Sequence, residues 1–138
     1  MIVTLGHFAE LIGGTALPSG AGTDLPIIGV ELNAAETPEG GLFAALPGTR
    51  VHGASYADQS PTAAILTDAA GLEILKDAGG PDRPVLLVDD VRAVLGAVSA
   101  EAHGRPSEKL TVVGVTGTSG KTTTTYLLEG ALLAAGKR

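Results

Sequence analysis

Lys121 follows a glycine and precedes two hydroxyls, in Val115-Thr116-Gly117-Thr118-Ser119-Gly120-Lys121-Thr122-Thr123. Those residue types in that order suit phosphate chemistry. Glycines let backbone N–H groups turn inward towards an anion. The start of a helix adds the positive end of its dipole. A lysine there reaches β- and γ-phosphates as a point charge, and a threonine hydroxyl can ligate Mg²⁺. The match to G-x-x-x-x-G-K-[ST] is imperfect: its first glycine would fall at Val115, with Gly114 one residue early and Gly117 two late. The competing reading is a glycine-bearing turn that binds nothing. An apolar run before the loop and an amphipathic run after it favour the phosphate reading.

Other polar residues invite chemistry less directly. His7, His52 and His103 have no mutual spacing that would hold a metal on one helix face. His52 reads as a surface turn residue, with substrate contact as the alternative. Arg50 suits a phosphate, because a guanidinium forks onto oxygens, and suits a solvated surface equally. Asp89-Asp90 resembles a catalytic carboxylate pair, yet it stands between a strand and a helix, where capping is the expected role. Thr124 and Thr125 extend the hydroxyl run without an evident role, and β-branched residues are mediocre helix formers.

The elements that must position these groups follow from pattern. Phe8–Ile12 predicts a short helix stopped by Gly13-Gly14. Strands are expected at 27–32, at 42–46 before the turn Pro47-Gly48, at 63–66 and at 85–88. Residues 71–77 predict a helix ending at Gly79-Gly80. Val91, Val94, Leu95, Val98 and Ala102 recur at helical period behind the Asp89-Asp90 cap. Strand and helix in alternation argue for an α/β layer architecture. Residues 103–109 are polar and carry Gly104 and Pro106, as a hinge would. Residues 110–116 then predict a strand, and 122–135 a helix with Leu127, Leu128, Ala131 and Leu132 on one side. A parallel strand needs a neighbour reached by a crossover. The expectation is a complete first domain (1–102), a hinge (103–109) and the opening strand–loop–helix unit of a parallel-sheet domain (110–138).

Composition bounds the partners. The 138 residues carry a net charge of 9 − 15 = −6, with aromatics at 3% and no Trp, which disfavours nucleic acid as a partner. A chain of this length can bury roughly two-thirds of its unfolded surface, and 44% hydrophobic against 17% charged residues argues for a folded core. The absence of cysteine removes disulfides, thiol catalysis and Cys-ligated zinc. No apolar run approaches the ~18 residues of a membrane span, and Met1–His7 lacks the cationic segment of a secretory signal. A monomeric cytoplasmic protein without membrane insertion is the expectation.

The loop's spelling, Thr116-Gly117-Thr118-Ser119-Gly120-Lys121-Thr122-Thr123, resembles the ATP loop of the Mur ligases, and the run 103–129 is most similar to their MurE type. Gly40-Gly41-Leu42-Phe43-Ala44-Ala45-Leu46-Pro47-Gly48, followed by His52-Gly53, resembles the same family's N-terminal domain. The resemblance implies ATP and Mg²⁺ as cofactors. It implies an acyl-phosphate route by which a diamino acid, diaminopimelate or L-lysine, joins UDP-N-acetylmuramoyl-L-alanyl-D-glutamate in peptidoglycan synthesis. Gly117, Thr118, Ser119, Gly120, Lys121, Thr122 and Thr123 would bind ATP, with Lys121 catalytic and Thr122 on Mg²⁺. Leu32, Ala34, Thr49, Arg50 and Val51 would meet the UDP part of the substrate.

Departures from the family pattern are local. Asn33-Ala34-Ala35 stands where many members have Asp-Ser-Arg, so Ala34 offers no side-chain hydrogen bond. Gly41 replaces a usual acid. The stretch at Gln59-Ser60-Pro61-Thr62 is about three residues shorter than the family's helix there, and Pro61 resists helix continuation. The acidic Mg²⁺ ligand expected downstream of the loop is absent from the sequence, so the 138 residues alone are expected to be inactive. The alternatives are the related ligase that adds D-Ala-D-Ala and a non-catalytic nucleotide-binding module.

Overall fold

A computed structural model describes residues 3–137; Met1, Ile2 and Arg138, which the expected domain limits include, lie outside the described residues. The chain divides into two compact units, 1–106 and 107–138. The first contains β1 (Val3–Thr4), α1 (Leu5–Ile12), β2 (Thr15–Leu17), β3 (Pro26–Ile27), β4 (Val30–Glu31), β5 (Leu42–Ala44), β6 (Ala64–Thr67), α2 (Ala69–Asp77), β7 (Val85–Leu87) and α3 (Val91–Ala102). A short helical turn, α4 (Pro106–Lys109), straddles the division, and the second unit holds α5 (Lys121–Ala134).

The main sheet has the order β2-β7-β6-β5-β4, with β4 to β7 mutually parallel and β2 antiparallel on the edge. Alternation along the strands sends side chains to two cores, one on each face. Leu42, Ala44, Ala64, Leu66 and Leu86 pack with Phe8 of α1 and with Val91 and Val98 of α3. Phe43, Ala45, Ile65 and Val85 point the other way, against Leu75 of α2 and the small residues Ala34, Ala54 and Ala57. A sheet covered on both faces explains why its strands read as unbroken apolar runs.

Caps fix the helices where the sequence places them. Asp90 Oδ1 accepts from the N–H groups of Arg92 (2.8 Å) and Ala93 (3.3 Å) at the start of α3. Gly13 ends α1 in the left-handed region at φ 64°. The expected strand over 27–32 is instead two. Ile27 pairs with Val3 in a separate two-stranded ribbon, and Val30 pairs with Leu42 in the main sheet. The chain changes sheets at Ile28-Gly29, where Ile28 is exposed. A three-residue strand at 15–17 went unpredicted because it is too short to show a period.

At the far end of α3 a buried carboxylate joins three segments. Glu101 Oε1 meets His7 Nε2 of α1 at 2.9 Å, and Oε2 accepts from Arg105 Nε at 2.5 Å. The Arg105 hydrogen bond holds the Glu101 carboxyl below its ordinary value against the opposing effect of burial, with His7 adding to the same direction.

Within the second unit, 110–116 forms no strand; the segment has strand-like composition but no ladder partner among the described residues. β propensity expresses itself through cross-strand packing, so an unpaired segment does not register as a strand. Leu110, Val112, Val113, Tyr126, Leu127 and Leu133 are all exposed. No described helix is long and apolar enough to cross a membrane.

Candidate functional site

Open parallel sheets present ligand sites at the carboxyl ends of their strands. In the first unit, a cleft of about 460 Å³ lies there, beyond β4 and β5. Its lining comes from three loops. After β4, Asn33 Oδ1 accepts the Ala35 N–H (3.2 Å) and starts a 3-10 turn over Ala34–Glu36. The Thr37 hydroxyl donates to the Asn33 carbonyl (3.0 Å), closing that turn from its buried side. After β5, the chain turns at Pro47-Gly48. A Cβ on Gly48 would overlap the Val51 carbonyl oxygen, so this bend needs glycine. Arg92 of α3 donates from Nη2 to the Pro47 carbonyl (3.0 Å), tying the bend to the helix behind it.

The third loop is a 3-10 helix, Gly53–Gln59. His52 caps it: Nδ1 accepts the Ala54 N–H at 3.0 Å. That acceptor role leaves the proton on Nε2, which donates to Asp68 Oδ1 at 3.1 Å. Asp68 Oδ1 also accepts the Gly71 N–H (2.9 Å) as the cap of α2. His52 is therefore not the surface turn residue expected from sequence; both ring nitrogens bind the scaffold and its side chain is only 9% exposed. With three residues per turn, a 3-10 helix aligns every third side chain. Gly53, Tyr56 and Gln59 accordingly line the cleft, whereas Ala54 and Ala57 are buried in the core. The helix stops at Ser60, before Pro61. Beyond it, Arg83 donates from Nη1 to the carbonyls of Ser60 (2.6 Å) and Thr62 (3.2 Å). The same guanidinium forks onto Asp82 at 2.6 and 2.8 Å, and that hydrogen bonding holds the Asp82 carboxyl below the usual carboxylate range.

Of the residues expected to meet a uridine diphosphate, Leu32, Ala34 and Val51 line this cleft. Thr49 and Arg50 are exposed on the bend between Gly48 and Val51, outside the lining. Arg50 has no hydrogen-bond or ion-pair partner among the described residues. Phe43 and Leu46 complete the apolar lining, and Asn33 and Gln59 supply its amides. Sequence reasoning missed Tyr56 and Gln59; their spacing of three was a signal, but the seven-residue helix that carries them is too short to show a period.

The second unit carries the glycine loop. Gly117 (φ 148°) and Gly120 (φ 77°) both adopt backbone conformations that disfavour L side chains. Gly120 is the N-cap of α5, and Lys121 is its first residue. The first amides of a helix have no intrahelical acceptor, so those after Gly120 face outward. Lys121 Nζ donates to the Gly117 carbonyl at 2.6 Å, folding the ammonium over the loop. The Thr124 hydroxyl donates to the Gly120 carbonyl (2.8 Å) and that of Thr125 to the Thr122 carbonyl (2.7 Å). This back-bonding accounts for the second threonine pair, which sequence left without a role. The Thr122 and Thr123 hydroxyls have no partner among the described residues.

No family model matches the chain. Individual proteins do. It is 52% identical over 126 residues to the UDP-N-acetylmuramoyl-L-alanyl-D-glutamate–2,6-diaminopimelate ligase of Corynebacterium glutamicum, covering 88% of this chain and 24% of that protein. The ligase of the same description from Corynebacterium efficiens is 49% identical over 140 residues, covering 99% and 26%. That from Streptomyces coelicolor is 45% identical over 125 residues, covering 88% and 24%. The chain thus spans about a quarter of the length of the curated relatives it matches. At such identities along most of its residues, the chain is similar to about one quarter of the length of ligases of this description, the MurE type of Mur ligase.

Proposed function

We propose that this chain supplies the uridine-diphosphate and triphosphate sites of an ATP-dependent, amide-forming ligase of peptidoglycan synthesis. In this reading, 1–102 is the domain for the UDP part of the substrate, 103–109 a hinge, and 110–138 the start of the ATP-binding domain. The supporting observation is identity of 45–52% with proteins described as diaminopimelate-adding ligases. The substrates are UDP-N-acetylmuramoyl-L-alanyl-D-glutamate, ATP and a diamino acid; the relatives' descriptions favour diaminopimelate over L-lysine. The enzyme works as a monomer in the cytoplasm.

The loop residues fit a triphosphate. Two glycines in permissive conformations, outward amides at the head of α5 and the Lys121 ammonium above the loop form a cationic, donor-rich bend. Gly117, Thr118, Ser119, Gly120, Lys121, Thr122 and Thr123 hold the phosphates. Lys121 exchanges its Gly117 carbonyl for phosphate oxygens and offsets the charge that develops during transfer. The uncommitted Thr122 hydroxyl is suited to Mg²⁺, which when bound neutralises phosphate charge. In the first unit, Leu32, Ala34 and Val51 take the uridine, and Thr49 and Arg50 lie on the adjoining bend for the diphosphate.

The chemistry explains why both sites are needed. A carboxylate resists amine attack because oxide is a poor leaving group. Transfer of the γ-phosphoryl group to the D-glutamate carboxylate releases ADP and gives an acyl phosphate. The amine then forms the C–N bond, loses a proton, and expels inorganic phosphate. One site holds the acceptor by its nucleotide end, and the other holds the phosphoryl donor.

The test is a graft. These 138 residues replace the matching quarter of the Corynebacterium glutamicum ligase, and diaminopimelate-dependent ADP release is followed. The graft retains turnover, and Lys121→Ala within it lowers kcat by at least ~10²-fold, the scale of a lost charge stabiliser. A graft with no turnover despite correct folding, or full activity of the Lys121→Ala graft, contradicts the assignment. The 138 residues by themselves are expected to give no product.

A further inference from the structure

The cleft of the first unit has a chemical character of its own. Among the described residues, no charged side chain lines it. Its exposed apolar lining is Leu32, Val51 and Tyr56, each close to half exposed (56%, 47% and 45%), around the buried Phe43. Large apolar side chains are left in water here, around one concavity, on loops that the scaffold otherwise braces. Such a surface suits a flat, neutral group, not a phosphate.

The polar groups are equally particular. Asn33 spends its Oδ1 on the Ala35 N–H, so only its amide hydrogens remain to donate. The Gln59 side chain has no partner among the described residues and offers both a carbonyl and an NH₂. Tyr56 and Gln59 stand three apart on a 3-10 helix, so they share the face turned to the cleft. That face is held in place from behind by the His52 cap and by Arg83 on the Ser60 carbonyl.

We infer that Tyr56 and Gln59 form the base-recognising pair of this site: the phenol ring covers one face of a pyrimidine, and the amide takes its hydrogen-bonding edge. Asn33 adds a donor for a ring carbonyl. The edge of uracil alternates carbonyl, N–H and carbonyl, and the unpartnered donors and acceptor of Asn33 and Gln59 complement it. This rests on the reading above that the cleft takes the UDP end of the substrate. The pair deepens that reading by assigning base recognition to side chains outside the bend 49–51.

The experiment is calorimetric titration of the 138-residue chain with UDP and, in parallel, with ribose 5-diphosphate, which lacks the base. Wild type, Tyr56→Ala, Tyr56→Phe and Gln59→Ala are compared, with circular dichroism confirming that each keeps its fold. Tyr56→Ala weakens UDP roughly tenfold, the scale of a lost ring–base contact. Gln59→Ala weakens it about fivefold, the scale of a lost neutral hydrogen bond. Tyr56→Phe stays within about twofold of wild type, because the ring face is retained. None of the three alters binding of the baseless diphosphate. Wild-type binding of UDP with unchanged affinity in both alanine variants overturns the inference and leaves the site's reading intact. Equal losses for UDP and the baseless compound also overturn it, by making the pair structural. Failure of wild type to bind UDP overturns the reading and the inference together.

Discussion

The cleft and the glycine loop differ in what supports them. The cleft has little sequence signature, yet every loop around it is anchored: Asn33 to Ala35, Pro47 to Arg92, His52 to Asp68, Ser60 to Arg83. The loop has a strong signature, yet its ties are internal, from Lys121 to Gly117 and from Thr124 to Gly120. The bend at Gly117 and Gly120 and the start of α5 are set by backbone conformation within a few residues, so local spelling suffices to find them. The cleft is written in packing, which no short motif records.

If the cleft depends on the core beneath it, damage to that core should be the most costly change. Phe43 is fully buried and also lines the cleft. Phe43→Ala is expected to cost about 3–5 kcal/mol in chemical denaturation, with UDP binding lost alongside. Retained binding at full stability would break the link between core and cleft. Gly71→Ala comes next. A Cβ there would overlap the Thr67 hydroxyl and lie 2.6 Å from His52 Cε1. The expected loss is about 1–3 kcal/mol, from overpacking between α2 and the cap of the 53–59 helix. An unchanged midpoint would mean that α2 is free to move away.

A smaller effect sharpens the contrast by pH. The Glu101 carboxyl is held below its ordinary value, so its contribution to stability is fully present above that value and fades as pH falls through the lowered one. Denaturation midpoints measured from neutral pH into acid should drop along that limb in wild type. Glu101→Gln should flatten this part of the drop, and an identical acid limb in the variant would remove Glu101 from the account. The least effect on stability belongs to the loop. Lys121 is exposed, and Lys121→Ala should move the first unit's midpoint by under ~0.5 kcal/mol. A large shift would show that the loop is part of that unit's scaffold.

Much of the fold was legible because local and global preferences agree. Asp90 as a cap, the stripe from Val91 to Ala102 and the glycine stop after α1 are each decided within a few residues. The buried strands at 42–44, 64–67 and 85–87 announce themselves as apolar runs. What escaped needed information from elsewhere in the chain. The break at Ile28-Gly29 depends on Val3 competing for Ile27 while Leu42 takes Val30. The run 110–116 has the residues of a strand but no described neighbour to pair with. The bend at Gly117 and Gly120 and the start of α5 were legible in the local spelling, whereas the place of Tyr56 and Gln59 in the cleft depends on which face of the 53–59 helix packs on the core. His52 looked like a turn residue because its partners, Asp68 and the Ala54 amide, meet it only in three dimensions.

The most direct test of two separable nucleotide sites is a two-ligand NMR titration of the 138 residues. UDP should shift amides at Leu32, Ala34, Val51, Tyr56 and Gln59 and leave Gly117 to Thr123 in place, while Mg²⁺-ATP should shift the latter set. UDP perturbing only 117–123, or no residue around the cleft at millimolar concentration, would contradict the account.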